Sequence, residues 1–147
     1  MTETFDDPHG MMEMVAEFQT AFDTSKDPDL WLKLILEEKA EVLEALEHLL
    51  KEISDLGYVS IGYINATGGM PPLDNRPDSA DIVAAFQWST VIAQVLGGPV
   101  MQEAFRRVHA SNMSKLGADG KPIRREDGKV LKGPNYAPPV LSDLVRG

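Results

Sequence analysis

Residues 31–63 read WLKLILEEKAEVLEALEHLLKEISDLGYVSIGY. The stretch has no proline, and its first glycine is Gly57. Trp31, Leu32, Ile35, Val42, Leu43 and Leu46 recur at the spacing of an amphipathic helix. Two acidic pairs are set among them. Glu38 and Glu41 stand at i, i+3, one turn apart on one face, and Glu52 and Asp55 repeat that spacing. Glu52 also begins a stripe with Leu56, Val59 and Tyr63 that is expected to face a core. A buried carboxylate needs a cation or hydrogen-bond donors to offset its lost hydration. The two pairs therefore point to oxygen ligation of Mg²⁺ or Mn²⁺. Glu44 and Glu47 read as solvated positions of an acid-rich helix.

The same stretch carries a conflict. No glycine or proline separates Glu41 from Glu52, so local propensity favours one continuous helix. Such a helix leaves the two carboxylates about 16 Å apart along its axis, too far for one metal site. Either the chain reverses near Ala45–Leu49, or two subunits each supply half a site. Convergence of the carboxylates favours the turn, with a third helix over about 49–66 returning antiparallel to the second.

On the N-terminal side, residues 1–8 read as a short lead. Met11, Met14, Val15, Phe18 and Phe22 then mark a first helix from His9 to Phe22. Gln19 on this helix faces either a ligand or solvent. Asp27-Pro28 reads as an N-cap followed by proline at the first helical position. Trp31 is either a core or interface anchor or a surface for stacking a base.

On the C-terminal side, the third helix is expected to stop at Thr67-Gly68-Gly69, and residues 68–78 form a loop by composition. Asp78 or Ser79 caps a fourth helix through Leu96, Gly97-Gly98 ends it, and Pro99 opens a fifth through Met113. Beyond Gly117, Asp119-Gly120 and Asp127-Gly128 are turn signals, which suggest a hairpin or extended arm. Lys121, Arg124, Arg125, Lys129 and Lys132 make this the basic end of the chain. The expectation is one all-α domain over 1–147. It is an antiparallel bundle of about five helices with a C-terminal arm over 118–147.

Composition narrows the partners. The 147 residues carry a formal net charge of −9, unsuited to a phosphate-backbone binder, so no nucleic-acid partner is expected. A nucleotide ligand stays possible, because bound cations invert local charge. There is no cysteine, which excludes disulfides and thiolate chemistry and fits a cytoplasmic protein. No signal peptide is visible over Met1–Gly10, and no stretch reads as membrane-spanning. His9, His48 and His109 share no metal-ligand spacing.

Glu37-Glu38-x-x-Glu41 followed by Glu52-x-x-Asp55-Leu56-x-Tyr58-Val59 resembles the MazG-like all-α nucleoside triphosphate pyrophosphohydrolases. So do Val108-His109-x-Ser111-Asn112-Met113-Ser114-Lys115-Leu116 and the tail from Asp119-Gly120-Lys121 to Lys132-Gly133-Pro134-Asn135-Tyr136. The tail looks like the phosphoribosyl-ATP-pyrophosphohydrolase-like branch, and the likeness covers most of residues 11–140. Two departures stand out. The interval between the acidic pairs is short, and the segment from about 68 to 98 is longer by roughly one helix, room for a base pocket or an oligomer interface.

The resemblance implies metal binding by Glu38, Glu41, Glu52 and Asp55, with two or three Mg²⁺ ions and Mn²⁺ as the alternative. It makes Glu37 a further ligand or the base for the attacking water, with Glu37 and Glu38 as the catalytic candidates. Asn112 and Lys115 would contact the nucleotide, with Lys132 and Tyr136 beside them. Gln19, Trp31 and Trp88 are candidates for the base. The implied activity is metal-dependent hydrolysis of a (deoxy)nucleoside triphosphate to monophosphate and pyrophosphate, by a homodimer or homotetramer. Phosphoribosyl-ATP as substrate and a non-catalytic nucleotide- or partner-binding module are the alternatives.

Overall fold

The structure, a computed structural model, describes residues 10–71 and 77–146. The expected lead over 1–8, His9, and part of the loop over 68–78 fall outside the described residues. The chain is all-α, as expected. Its helices are α1 (Met11–Ala21), α2 (Pro28–Thr67), α3 (Ser79–Leu96), α4 (Gly98–Met113) and α5 (Ser142–Arg146). It divides into two compact units, Met1–Lys39 and Ala40–Gly147.

The largest correction concerns α2. It runs without a break for 40 residues, so the reversal expected at Ala45–Leu49 does not occur. Every residue there is a serviceable helix former and none supplies a breaker. Convergence of carboxylates is a requirement of function, and it exerts no local force on the backbone. The ends of α2 follow sequence chemistry. The Asp27 carboxylate accepts from the Asp29 amide at 3.0 Å, capping a helix that opens on Pro28. At the other end Gly68 adopts φ +78°, and its amide reaches Ile64 O at 2.8 Å.

The first unit holds α1 and the start of α2. None of its described residues is buried. Phe18 and Phe22 pair along α1 with centroids 4.6 Å apart, and the Trp31 indole donates to Ser25 O at 2.8 Å.

The second unit packs the rest of α2 against α3 and α4. Its core joins Leu50, Ala104 and Leu141, with Leu96, Val100, Met101, Leu144 and Val145 around them. Leu141, just before α5, is 1% exposed, so the end of the chain is part of the core. Tyr58 of α2 lies beside Phe105 (5.5 Å) and His109 (5.9 Å) of α4, and its hydroxyl is 3.1 Å from His109 Nδ1. Tyr63 meets Phe86 of α3 edge-on.

The buried face of α2 is Leu50, Ile53, Ser54 and Ser60. That corrects the stripe expected from Glu52: Glu52 and Val59 are exposed, and Leu56 and Tyr63 are half-buried. The true face keeps the 3.6-residue period but is rotated by about 100°.

α3 has 18 residues and, by length and composition alone, suffices to cross a membrane, contrary to the expectation that no stretch would. Only 6% of that stretch is buried, and Phe86 meets Tyr63 of α2 edge-on.

Residues 114–141 carry no helix. Arg124 and Val130 form one antiparallel bridge about the Asp127-Gly128 turn, with Gly128 at φ +87°. This is the expected hairpin in its shortest form.

Candidate functional site

Six side chains from three distant segments line a cavity of about 160 Å³ in the second unit. Lys51 and Asp55 come from α2, Asn112 and Lys115 from the end of α4, and Lys132 and Tyr136 from the arm. Val108, Ser111 and Pro139 complete the wall. Five of the six were candidates from sequence.

Each segment arrives by an identifiable local device. The α4 helix ends at Met113, and Ser114, at the cap, accepts from the Ala137 amide at 2.9 Å. Gly133 donates to Lys115 O at 3.0 Å. A Cβ at Gly133 would lie 2.5 Å from Leu116 O and 2.6 Å from Lys115 O. Only glycine lets the arm pass that close, which explains the glycine in Lys132-Gly133-Pro134-Asn135-Tyr136.

Inside the cavity, Lys115 donates to Asn112 Oδ1 at 2.6 Å. The Lys132 ammonium stands 4.5 Å from the Tyr136 ring centre, a cation–π contact. Lys51 donates to Glu52 Oε1 at 2.7 Å and to Asp55 Oδ2 at 2.9 Å. These bonds, Glu52 first, raise the Lys51 pKa, and the Lys51 ammonium in turn holds the Glu52 carboxyl below its ordinary value. Lys51 was missed from sequence. Its signal was available, since a lysine four residues before Asp55 is a helix ion-pair partner.

Size limits the occupant. A volume of about 160 Å³ equals roughly five water molecules at ~30 Å³ each. It has room for a phosphate group. Three lysines against one carboxylate in the wall make it attractive to anions, in a chain whose net charge is −9.

Other candidates lie elsewhere. Glu41 lines a wider groove of about 760 Å³ with Glu44, Glu47, His48, Pro139 and Leu141, and Lys51 belongs to both walls. Glu41 and Glu52 are eleven positions apart on the continuous α2, about 16 Å of rise. Glu37 and Glu38 are exposed and belong to the first unit. Gln19 and Trp31 share a cavity of about 400 Å³ in that unit with Thr20, Asp23, Thr24, Ser25 and Lys26. Trp88 is exposed on α3.

Glu52 and Asp55 both reach the Lys51 ammonium. Among the described residues, no group of three or more His, Asp or Glu side chains gathers that could hold a metal ion. No family model, curated protein or solved structure matches this chain.

Proposed function

We propose that this chain is a metal-dependent nucleoside triphosphate pyrophosphohydrolase of the MazG-like kind, holding its substrate's phosphates in the cavity between α2, α4 and the arm. The observation that carries this is the meeting of Asp55 with Asn112, Lys115, Lys132 and Tyr136 around one volume of phosphate size.

In the reaction, water bonds to a phosphorus, the α–β bridging P–O bond breaks, and monophosphate and pyrophosphate leave. A divalent ion on the carboxylates, when bound, supplies charge neutralisation and a more acidic water. Lys115 and Lys132 balance phosphate charge and fix its position. Asn112 holds Lys115 in place. Glu37 of a second copy, some 18 positions before Asp55 on the unbroken α2 and so about 27 Å from it within one chain, is the proposed acceptor of the water proton. In this reading the nucleoside projects outward from the phosphates.

The continuous α2 bears on assembly. Its second half presents Glu52 and Asp55, and Glu37, Glu38 and Glu41 precede them by more than a turn. In the proposed homo-oligomer, a second copy brings the missing acids. Apolar residues of the first unit support a partner: Met14, Val15, Phe18, Phe22, Leu32 and Ile35 are 52–70% exposed.

The test is pyrophosphate release from each canonical dNTP, NTP and phosphoribosyl-ATP with Mg²⁺ or Mn²⁺, for the native chain and for Asp55→Asn. Turnover lost in the variant supports the proposal. No turnover of any substrate would overturn it and leave a binding module.

A further inference from the structure

A groove of about 680 Å³ lies between α2, α3 and α4 in the second unit, apart from the phosphate cavity. Its size is that of a small-molecule pocket. None of its described lining residues is charged, in a chain of which 25% is charged. Such a wall offers an ion nothing in exchange for its hydration, so the groove suits an uncharged group.

The wall sorts by chemistry. The half-buried Phe105 ring stands over Gly57, where a Cβ would lie 3.9 Å from Phe105 Cε2. The Ser54 and Ser89 hydroxyls are taken up by their own helices, donating to Leu50 O and Phe86 O. Gln94 and Gln102 are exposed, and among the described residues neither amide has a hydrogen-bond partner. Each amide offers a donor and an acceptor together. An aromatic ring with two such amides fits a nucleobase, which is read by stacking and by hydrogen bonds to its edge.

The groove also continues the line of the phosphate cavity. On α4, Phe105 of the groove precedes Val108 of the cavity by three residues, about 4.5 Å of rise. On α2, Ser54 of the groove adjoins Asp55 of the cavity. A sugar, the group that separates a base from its phosphates, spans such an interval.

We infer that this neutral groove is the subsite for the nucleobase of a nucleotide whose phosphates occupy the lysine-lined cavity. This rests on the proposed phosphate role of that cavity.

The experiment is methyl and amide NMR of the full chain without metal, titrated separately with each common nucleoside and with inorganic pyrophosphate. At least one nucleoside should shift the Ile61, Ala93 and Met101 methyls and leave Val108 in place, and pyrophosphate should do the reverse. By calorimetry, the monophosphate of that nucleoside should bind at least about tenfold tighter than ribose 5-phosphate. Gln94→Ala and Gln102→Ala should each narrow that gap roughly three- to tenfold, as for loss of one hydrogen bond, with ribose 5-phosphate affinity unchanged. Thermal melts control for folding. Groove methyls unmoved by every nucleoside overturn the base subsite. Groove methyls that shift on dilution of the protein alone assign the groove to a second copy and overturn it equally. A gap untouched by both glutamine changes overturns the role of the amides. Val108 and Lys115 unmoved by pyrophosphate would count against the phosphate cavity, and the nucleoside titration then decides the groove by itself.

Discussion

Arg107 grips Asp143 across 36 residues with both arms of its guanidinium, Nη1 to Oδ1 at 2.6 Å and Nη2 to Oδ2 at 2.9 Å. The same side chain donates to Val140 O at 2.8 Å and to Glu103 Oε1 at 2.7 Å. One residue of α4 thereby fixes the chain on both sides of Leu141 and holds that leucine in the core.

This network sets an acid sensitivity. Arg106, then Arg107, hold the Glu103 carboxyl at about 2, and Arg107 lowers Asp143. Both carboxylates have folded values below their unfolded ones, so their stabilisation is fully present above the ordinary range near pH 4 and is lost as pH falls toward about 2. Melting temperatures from pH 7 to 2 for the native chain and Glu103→Gln should differ by a constant amount above about pH 5 and converge near pH 2. A gap that persists to pH 2 would contradict this.

Leu141→Ala tests the anchoring directly. The side chain is 1% exposed against Leu50 and Ala104, and the lost contacts and cavity cost about 2–5 kcal/mol in urea unfolding. Because Pro139 and Tyr136 lie just upstream, pyrophosphate affinity should fall with it. A change below about 1 kcal/mol would show that α5 folds back independently of the core.

How much of this was legible in sequence depended on whether the cause was local. Helix caps at Asp27 and Gly68, and the turn at Gly128, follow from one or two residues and appeared as expected. The cavity residues Asn112, Lys115, Lys132 and Tyr136 were identifiable because they sit in short dense motifs. The path of α2 was also legible, from its lack of breakers, and went wrong only when a functional demand was allowed to outweigh propensity. The rotation of the buried face was not legible. Glu52 and Ile53 are neighbours, and α3, α4 and Leu141 decide which of them is covered.

Gly133→Ala should damage the site without touching its side chains. The added methyl meets backbone oxygens at 2.5 and 2.6 Å that cannot yield without moving the end of α4 or the arm. The expected cost is about 1–3 kcal/mol of stability. Displacement of Lys132 and Tyr136 should weaken pyrophosphate binding more than it lowers the melting temperature suggests. An unaltered affinity would mean the arm does not bind phosphate.

Removing Lys115 should act on binding alone. Its ammonium is 2.6 Å from Asn112 Oδ1, in a cavity wall whose carboxylate is Asp55. Loss of one charge-assisted phosphate contact predicts a KM for the preferred triphosphate raised roughly ten- to hundredfold in Lys115→Ala. Lys115→Arg should recover part of it. Equal losses in thermal stability for both variants, with KM unchanged, would assign Lys115 to the fold.

Shared half-sites can be distinguished from single-chain sites by mixing two inactive variants. Glu38→Gln removes one half and Asp55→Asn the other. If one copy supplies Glu38 and Glu41 to another copy's Glu52 and Asp55, a mixed dimer holds one site with both halves mutated and one with both intact. Random exchange then restores about a quarter of native turnover, as half of the dimers are mixed and each carries one good site of two. If every site is built within one chain, both variants stay inactive in any mixture. The assay needs subunit exchange, checked by light scattering of the mixture and by co-purification of one tagged variant with the other. Restored turnover would assign the continuous α2 a direct role, as the rod that presents its two acidic pairs to two different sites.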